Sequence, residues 1–395
     1  MKDYKLHVPE GFKDTFGKEM LIKNEIENRV LKTFDSYGFI NVKSPLLEYV
    51  DLYSENGIQK PDLYNLINKQ GEVLALSNDM TKSIARFVAT SHNNSRIQKY
   101  CYISDTLRYP TMYQGKNHQF LQAGIELIGK SNEFNDVEAI FLAYKTLKNC
   151  GVNNFTIHLG SSDFLHTLFN DFKISDALQN KIIDSIDSKD YVTLKELLKE
   201  EIDDEKTNFI VDLMLKGGHV RYIESLMLAL KDYDSYMSLM YLKNVFTMLK
   251  ELNVDNIIFD FSVYSYAKYY TGIVFSIYVD DIKKSVVSGG RCDNLLKTFG
   301  LDKPDVGFGM DIDSITTYCM QNDIIKFEQE KYLSQSDNAS FIKAMKNNDQ
   351  IRDGGIIVVD SHLDTLEEAL AYAKEAGFKK VLDYKDNKVR ILEVK

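Results

Sequence analysis

The sequence predicts an α+β protein, and three observations predict it. Between Leu107 and Glu126 (LRYPTMYQGKNHQFLQAGIE) an arginine ends one strand, a glycine-containing loop follows, and a second strand begins. On that second strand Gln122, Gly124 and Glu126 fall on one face and Leu121, Ala123, Ile125 and Leu127 on the other, the period of two that a pleated strand imposes. From about residue 172 to 251 strand signals fade, and leucine, lysine and acidic residues dominate at helical spacing.

The elements follow in order. Asp14 to Tyr37 reads as an amphipathic helix, with Ile22, Ile26, Val30 and Phe34 at four-residue spacing and Gly38 as its stop. A strand-like segment follows and ends near Pro45. In LSNDMTKSIAR, Asp79 stands ahead of a helix running through Ile84 and Ala85. The stretch LQNKIIDSIDSKDYVTLKELLKEEIDDEKTNFIVDLML, continued by MSLMYLKNVFTMLKEL, predicts a helical insertion. Residues from about 256 to 320 return to strands in NIIFDFSVYSYAKYYTGIVFSIYV, SGGRCDNLLKTFG and VGFGMDID, and DNLLKTF suits a helix start with Asp293 near its N-terminus. A domain of residues 1–322 is therefore expected, followed by a small α/β domain of residues 323–395. That tail begins polar and irregular (EQEKYLSQSDNAS). Then come a strand (GIIVVD), a helix (DTLEEALAYAKEAG) capped by Asp364 or Thr365 and stopped by Gly377, and two strands (VLDY, KVRILEV).

Composition narrows the function classes. A hydrophobic content of 44% indicates a globular chain, and the net charge of −10 argues against a dedicated nucleic-acid surface. No apolar run approaches a membrane span, and MKDYKLHVPEGF has no hydrophobic signal core. Cys101, Cys150, Cys292 and Cys319 are scattered without metal-ligand spacing, so reduced thiols in a cytoplasmic protein, with no metal site, are expected.

A buried strand rarely carries two polar side chains on one face without something to satisfy them. Gln122 and Glu126 either pair with neighbouring side chains or face a ligand, and Gly124 between them favours a pocket by removing bulk. Asp79, taken by itself, reads as a helix cap. Arg108 suits a carboxylate or phosphate, or a surface salt bridge. Tyr269 and Tyr270 in KYYTG, taken by themselves, read as core aromatics, and Tyr270, Gly272 and Val274 share a strand face.

Together these residues resemble the class II aminoacyl-tRNA synthetases, and histidyl-tRNA synthetases in particular. LRYPTMYQGKNHQFLQAGIE resembles the second class II motif, and PEGFKD with its long helix, YGF and SPLLE resembles the first, which builds a homodimer interface in that family. DMT followed by IAR resembles the family's LRPE-x-T loop in the form found in its paralogue that regulates histidine biosynthesis. KYYTG resembles RGLDYYTG, and GGRCDNLL resembles GGRYDxL with Cys292 in place of tyrosine. The resemblance covers roughly residues 8 to 320. It implies a class II antiparallel sheet flanked by helices, with a helical insertion at the position found here. It also implies a histidine pocket built from Asp79, Thr81, Arg108, Gln122, Glu126, Tyr269 and Tyr270.

The departures from the family pattern lie on the phosphate side. The arginine of RGLDYYTG is Ser265 and its aspartate Lys268; the GLER ending is DIDS, with Asp313 and Ser314. The Glu-Arg pair of the second motif is Pro110 and Thr111, two later arginines are Lys116 and His118, and the LRPE arginine is Ser77. Amino-acid activation builds negative charge that preorganised cations must stabilise. Losing that set while keeping the amino-acid side implies a pocket without catalysis and without a cofactor. The chain thus resembles the regulatory paralogue, which joins a short-form ATP phosphoribosyltransferase catalytic subunit as a homodimer within a hetero-oligomer, with histidine as effector and no tRNA. A divergent histidyl-tRNA synthetase and a synthetase-like histidine-sensing module are the alternatives.

Overall fold

A computed structural model describes residues 4–54, 63–91, 95–109, 117–263, 270–327, 330–386 and 388–394. The described chain forms two compact units, Met1–Ile324 and Ile325–Lys395.

The first unit begins with α1 (Gly17–Ser36), then β1 (Ile40–Asn41), β2 (Leu47–Tyr49), β3 (Asn65–Ile67), β4 (Val73–Leu76) and α2 (Met80–Thr90). The long strands β5 (Gln98–Leu107) and β6 (Gln119–Ile128) follow, then α3 (Glu133–Asn149), β7 (Phe155–Ser161) and α4 (Ser162–Asp171). The insertion is helical throughout its named elements: α5 (Asp176–Asp187), α6 (Tyr191–Leu198), α7 (Asp204–Leu215), α8 (Val220–Ala229) and α9 (Ser235–Glu251). The chain then returns to strands β8 (Ile257–Phe259), β9 (Ile273–Val279), β10 (Ser285–Arg291) and β11 (Asp305–Asp311), and α10 (Ile312–Gln321) closes the unit.

Eight strands form one sheet in the order β1-β5-β6-β11-β10-β9-β7-β8. The six central strands pair antiparallel, whereas β1 with β5 and β7 with β8 pair parallel at the edges. A second sheet, β2-β4-β3, is small and antiparallel. On one face of the large sheet α1 turns Ile22, Ile26, Val30 and Phe34 inward, all buried, and Phe34 meets Phe308 of β11 edge-on at 6.0 Å. α1 starts at Gly17, three residues later than the periodicity predicts, because Gly17 has φ +61 and breaks the helical run before it. Its stop is as read: Gly38 sits at φ +77. On the other face, α2 packs Met80, Ile84, Ala85 and Val88 with Tyr100, Tyr102, Leu295 and Leu296. DNLLKTF forms only a short 3-10 turn, Leu296–Phe299, ended by Gly300 at φ +81.

The second unit has β12 (Lys331–Ser336), α11 (Phe341–Asp353), β13 (Ile357–Asp360), α12 (Leu366–Glu375), β14 (Lys380–Lys385) and β15 (Lys388–Glu393). Its sheet runs β13-β12-β14-β15, and α12 starts with a capping box between Thr365 and Glu368. The stretch expected to be irregular holds β12, and α11 follows at once, so the folded unit is larger than the pattern suggests. Both elements bury polar residues that hide their periodicity. Gln335 donates to the Leu363 carbonyl at 2.8 Å, and Asn348 of α11 donates to Asp360 at 2.7 Å and accepts from the Tyr384 hydroxyl at 3.2 Å.

One buried ion pair ties the large sheet to its covering helix. Arg291, at the end of β10, meets Asp136 of α3 at 2.5 Å, with both side chains shielded from solvent. The same guanidinium reaches Asp293 at 3.2 Å and the carbonyls of Lys130 and Asn132, while Tyr241 of α9 donates to the other Asp136 oxygen at 2.5 Å. Removing one partner strands a buried charge. Asp136→Ala is therefore expected to cost about 3–5 kcal/mol in urea or guanidinium unfolding. A loss below about 1 kcal/mol would show that the pair carries little of the fold.

Candidate functional site

The site lies on the α2 face of the large sheet, where strand registers align polar side chains with glycines. Glu126 of β6 pairs with Gly307 of β11, and Gly124 pairs with Gly309. On the next strand Gly307 pairs with Gly290 of β10. A Cβ at Gly307 would lie 2.0 Å from Glu126 Oε2, one at Gly309 2.5 Å from Gln122 Nε2, and one at Gly290 2.8 Å from the Tyr270 ring. The glycines are thus the space in which these side chains lie. On the other side of β6, Tyr102 of β5 pairs with Gly124, whose Cβ would meet the Tyr102 hydroxyl at 2.4 Å.

These residues enclose a small recess lined by Thr81, Glu126, Tyr270, Cys292 and the glycines at 290, 307 and 309. Asp79 caps α2, accepting from the Thr81 amide at 3.1 Å, so the cap reading is correct and the carboxylate is also held at the head of the recess. Its charge acts on Glu126, Tyr102, Tyr270 and Cys292. The Tyr102 hydroxyl donates to Gln122 Oε1 at 3.3 Å. The Tyr270 carbonyl accepts from the Ser162 hydroxyl at 2.9 Å, and the Gly272 carbonyl accepts from the Ser162 amide at 2.8 Å. These bonds fix the approach to β9. The strand begins only at Ile273, so Tyr270 and Gly272 precede it instead of sharing a face with Val274.

Five predicted residues, Asp79, Thr81, Gln122, Glu126 and Tyr270, therefore come together. Arg108 stands apart from the walls. It is exposed, donates from Nε to the Asn78 carbonyl at 3.0 Å and lies over the Phe120 ring at 5.3 Å, close enough to favour ionisation of Tyr102. Tyr269 lies outside the described residues, as do Ser265, Lys268, Pro110, Thr111 and Lys116.

The sequence reading missed Tyr102 and Asp305. Tyr102 was signalled by the alternation of YCYISD. Asp305 follows a proline and opens a glycine-rich strand, and no local signal places it beside Glu126. Glu126 and Asp305 are each 2% exposed. Burial pushes the Glu126 carboxyl well above the usual range, helped by the adjacent Asp305 charge, and burial likewise pushes Asp305 up to about 7. Burial also raises the Tyr102 and Tyr270 phenols and the Cys292 thiol well above their ordinary values, so all three stay neutral at pH 7. Glu126 Oε1 and Asp305 Oδ1 are buried with no hydrogen-bond partner among the described residues. A buried acceptor in that state costs about 1–3 kcal/mol until a donor arrives. The recess is thus suited to a small ligand that brings N–H groups and positive charge.

The phosphate-side positions that are described are engaged elsewhere. The Ser314 amide and hydroxyl both donate to Asp311, at 2.9 and 2.8 Å, forming the cap of α10. Asp313 pairs with Lys23 at 2.6 Å and accepts from the Leu121 amide at 2.9 Å. Ser77 is buried, accepting from the Tyr53 hydroxyl at 3.2 Å. His118 packs among Phe12, Tyr64 and Tyr109, and its Nδ1 is hydrogen-bonded to the Tyr64 hydroxyl. No group of three or more His, Cys, Asp or Glu gathers to hold a metal among the described residues. No described helix is long and apolar enough to cross a membrane.

Comparison with known proteins gives a consistent result. The histidyl-tRNA synthetase family model matches residues 11–315. The ATP phosphoribosyltransferase regulatory subunit of Clostridium kluyveri is 31% identical over 387 residues, covering 96% of this chain and 99% of that protein. The protein of the same name from Thermoanaerobacter pseudethanolicus is 32% identical over 318 residues, covering 78% and 81%. Among solved structures, an ATP phosphoribosyltransferase regulatory subunit/histidyl-tRNA synthetase from Bacillus halodurans superposes with a TM-score of 0.82 at 24% identity, covering 97% and 98% of the two chains. A histidyl-tRNA synthetase from Nostoc superposes with a TM-score of 0.81 at 20% identity, covering 98% and 97%.

The raised carboxyl at Asp305 has a consequence for stability. An unfolded aspartate ionises near pH 3.9, so the folded state binds the extra proton between that pH and about 7. The stability this contributes is present in acid and is lost as pH rises through about 7. Asp305→Asn is expected to be more stable than wild type at pH 8. Its advantage should shrink on acidification to pH 5, by at most about 1.4 kcal/mol per pH unit. Thermal melts across that range test this, and a constant difference would show that Asp305 does not titrate as its burial implies.

Proposed function

The chain belongs to the histidyl-tRNA synthetase family, among the ATP phosphoribosyltransferase regulatory subunits, and on that premise we propose that it serves histidine biosynthesis as the non-catalytic partner of a short-form ATP phosphoribosyltransferase catalytic subunit. In this reading it activates that subunit and passes histidine feedback to it. The observation that carries the proposal is the contrast within one site. Thr81, Glu126 and Tyr270 line a recess of amino-acid chemistry, with Gln122 against its Gly309 and the Asp79 charge acting on Glu126, while Ser314 and Ser77 stand where a synthetase needs arginines and are occupied by Asp311 and Tyr53.

Histidine suits the recess. Its ammonium pairs with Asp79 and the Thr81 hydroxyl, and its imidazole N–H meets the unpartnered oxygen of Glu126. Feedback then follows from linkage: histidine inhibits to the extent that it binds the less active arrangement of the complex more tightly. Self-association as a homodimer is supported by the exposed apolar side chains of Phe16, Ile40, Leu47, Tyr49 and Ile67, which lie on or beside α1 and the small sheet.

Mixed with a short-form catalytic subunit, this protein is expected to raise transferase activity, and histidine to suppress the gain. Glu126→Ala should raise the histidine concentration for half-inhibition about tenfold or more, corresponding to about 1.4 kcal/mol, with activation retained. Inhibition unchanged in that variant would move the effector to another site. Histidine-dependent exchange of pyrophosphate into ATP by this chain alone would instead make it a working synthetase.

A further inference from the structure

Glu126 does not face the recess alone. Asp305 opens β11 two residues before Gly307, the partner of Glu126, so the two carboxyls stand on the same sheet face and within hydrogen-bonding reach. Both are almost fully buried, and each keeps one oxygen without a hydrogen-bond partner among the described residues. Glu126 belongs to the wall of the recess. Two carboxylates so placed cannot both ionise, and they hold one proton between them.

The groups packed around the pair leave that proton in place. From the end of β10, Arg291 pairs with Asp136 and Asp293; its charge also favours ionisation of Asp305, and burial outweighs it. Asp79, at the head of α2, adds charge of the same sign. Tyr102 on β5, Tyr270 before β9 and Cys292 after β10 are neutral, and Arg108 lies out at the exposed strand end. The pair therefore has negative charge and open acceptor capacity, and among the described residues no cation lines the recess.

We propose that Asp305 is a positioning residue that makes this recess receive the ring of its ligand as a cation, with one proton taken from solution on binding. The proposal rests on reading the recess as a histidine site. Above pH 7 the empty pair carries one proton and free imidazole is neutral. In the complex the pair keeps its proton, the ring gains one so that both of its nitrogens carry N–H, and the buffer supplies it. Without Asp305 the balance changes. A lone buried Glu126 is protonated in the empty recess, and that proton passes to the ring, which gives the same ion pair with no uptake.

Calorimetric titration of the full-length protein with L-histidine at pH 8, in two buffers of different ionisation enthalpy, counts the protons. Wild type is expected to take up close to one and Asp305→Asn close to none. Wild-type affinity should weaken severalfold from pH 7 to pH 8, whereas that of the variant stays level. Near-zero uptake by wild type overturns the proposal and leaves the histidine site standing, whether or not the variant folds. Equal uptake by both proteins overturns the role of Asp305. No histidine binding at any pH overturns this inference and the reading of the recess together.

Discussion

Glu126 reaches across a neighbouring strand that has no side chain at the point of contact. Its carboxylate fills the space where a Cβ of Gly307 would be, and Gln122 and Tyr270 do the same at Gly309 and Gly290. The rest of the site depends on this fit. The antiparallel register of β6 with β11 sets which residue meets which glycine, and a slip of one residue would turn every polar side chain of β6 to the opposite face. Packing from α2 and the Leu295–Leu296 segment then closes the face from water. That closure raises the carboxyls and leaves their free oxygens in want of a donor.

The fold carries this geometry without deciding what it is used for. A regulatory subunit/synthetase and a histidyl-tRNA synthetase share the class II synthetase-like architecture with this chain about equally well. What such a fold is used for is decided by the side chains at its site. An arginine at position 314 would present a cation to a nucleotide. A serine there is short enough to turn back onto Asp311 and complete a helix cap. The same helix end thus becomes structural by the loss of one long side chain. Arg291 shows the complementary case: a motif arginine is kept, but its guanidinium is spent on Asp136 and the sheet-to-helix contact.

Legibility in the sequence followed burial on one face. α1 showed its apolar stripe because only one side of it packs, and β6 showed its alternation because glycine and polar residues mark one face. The helices of the insertion were legible for the same reason. β12 was not: it lies between two strands, its Ser334 and Gln335 are buried, and Gln335 is hydrogen-bonded to the Leu363 carbonyl, so it reads as polar loop. α11 buries only Ala344 and Asn348 among its described positions, too little to produce a stripe. The 3-10 turn after Cys292 lacks the length that would let a propensity reading distinguish it from a helix start.

The sequence alone determined the family motifs, the helical insertion, and five of the side chains that meet in the recess, because each is written in a contiguous segment with its own period or turn chemistry. The tertiary structure alone decided three things. Asp305 stands beside Glu126, Tyr102 closes over Gly124, and Arg108 remains at the exposed edge instead of entering the pocket. The physical reason is register. Residues far apart in the chain become neighbours only when strands pair, and which of them share a face is set by hydrogen bonds between strands that no local pattern encodes.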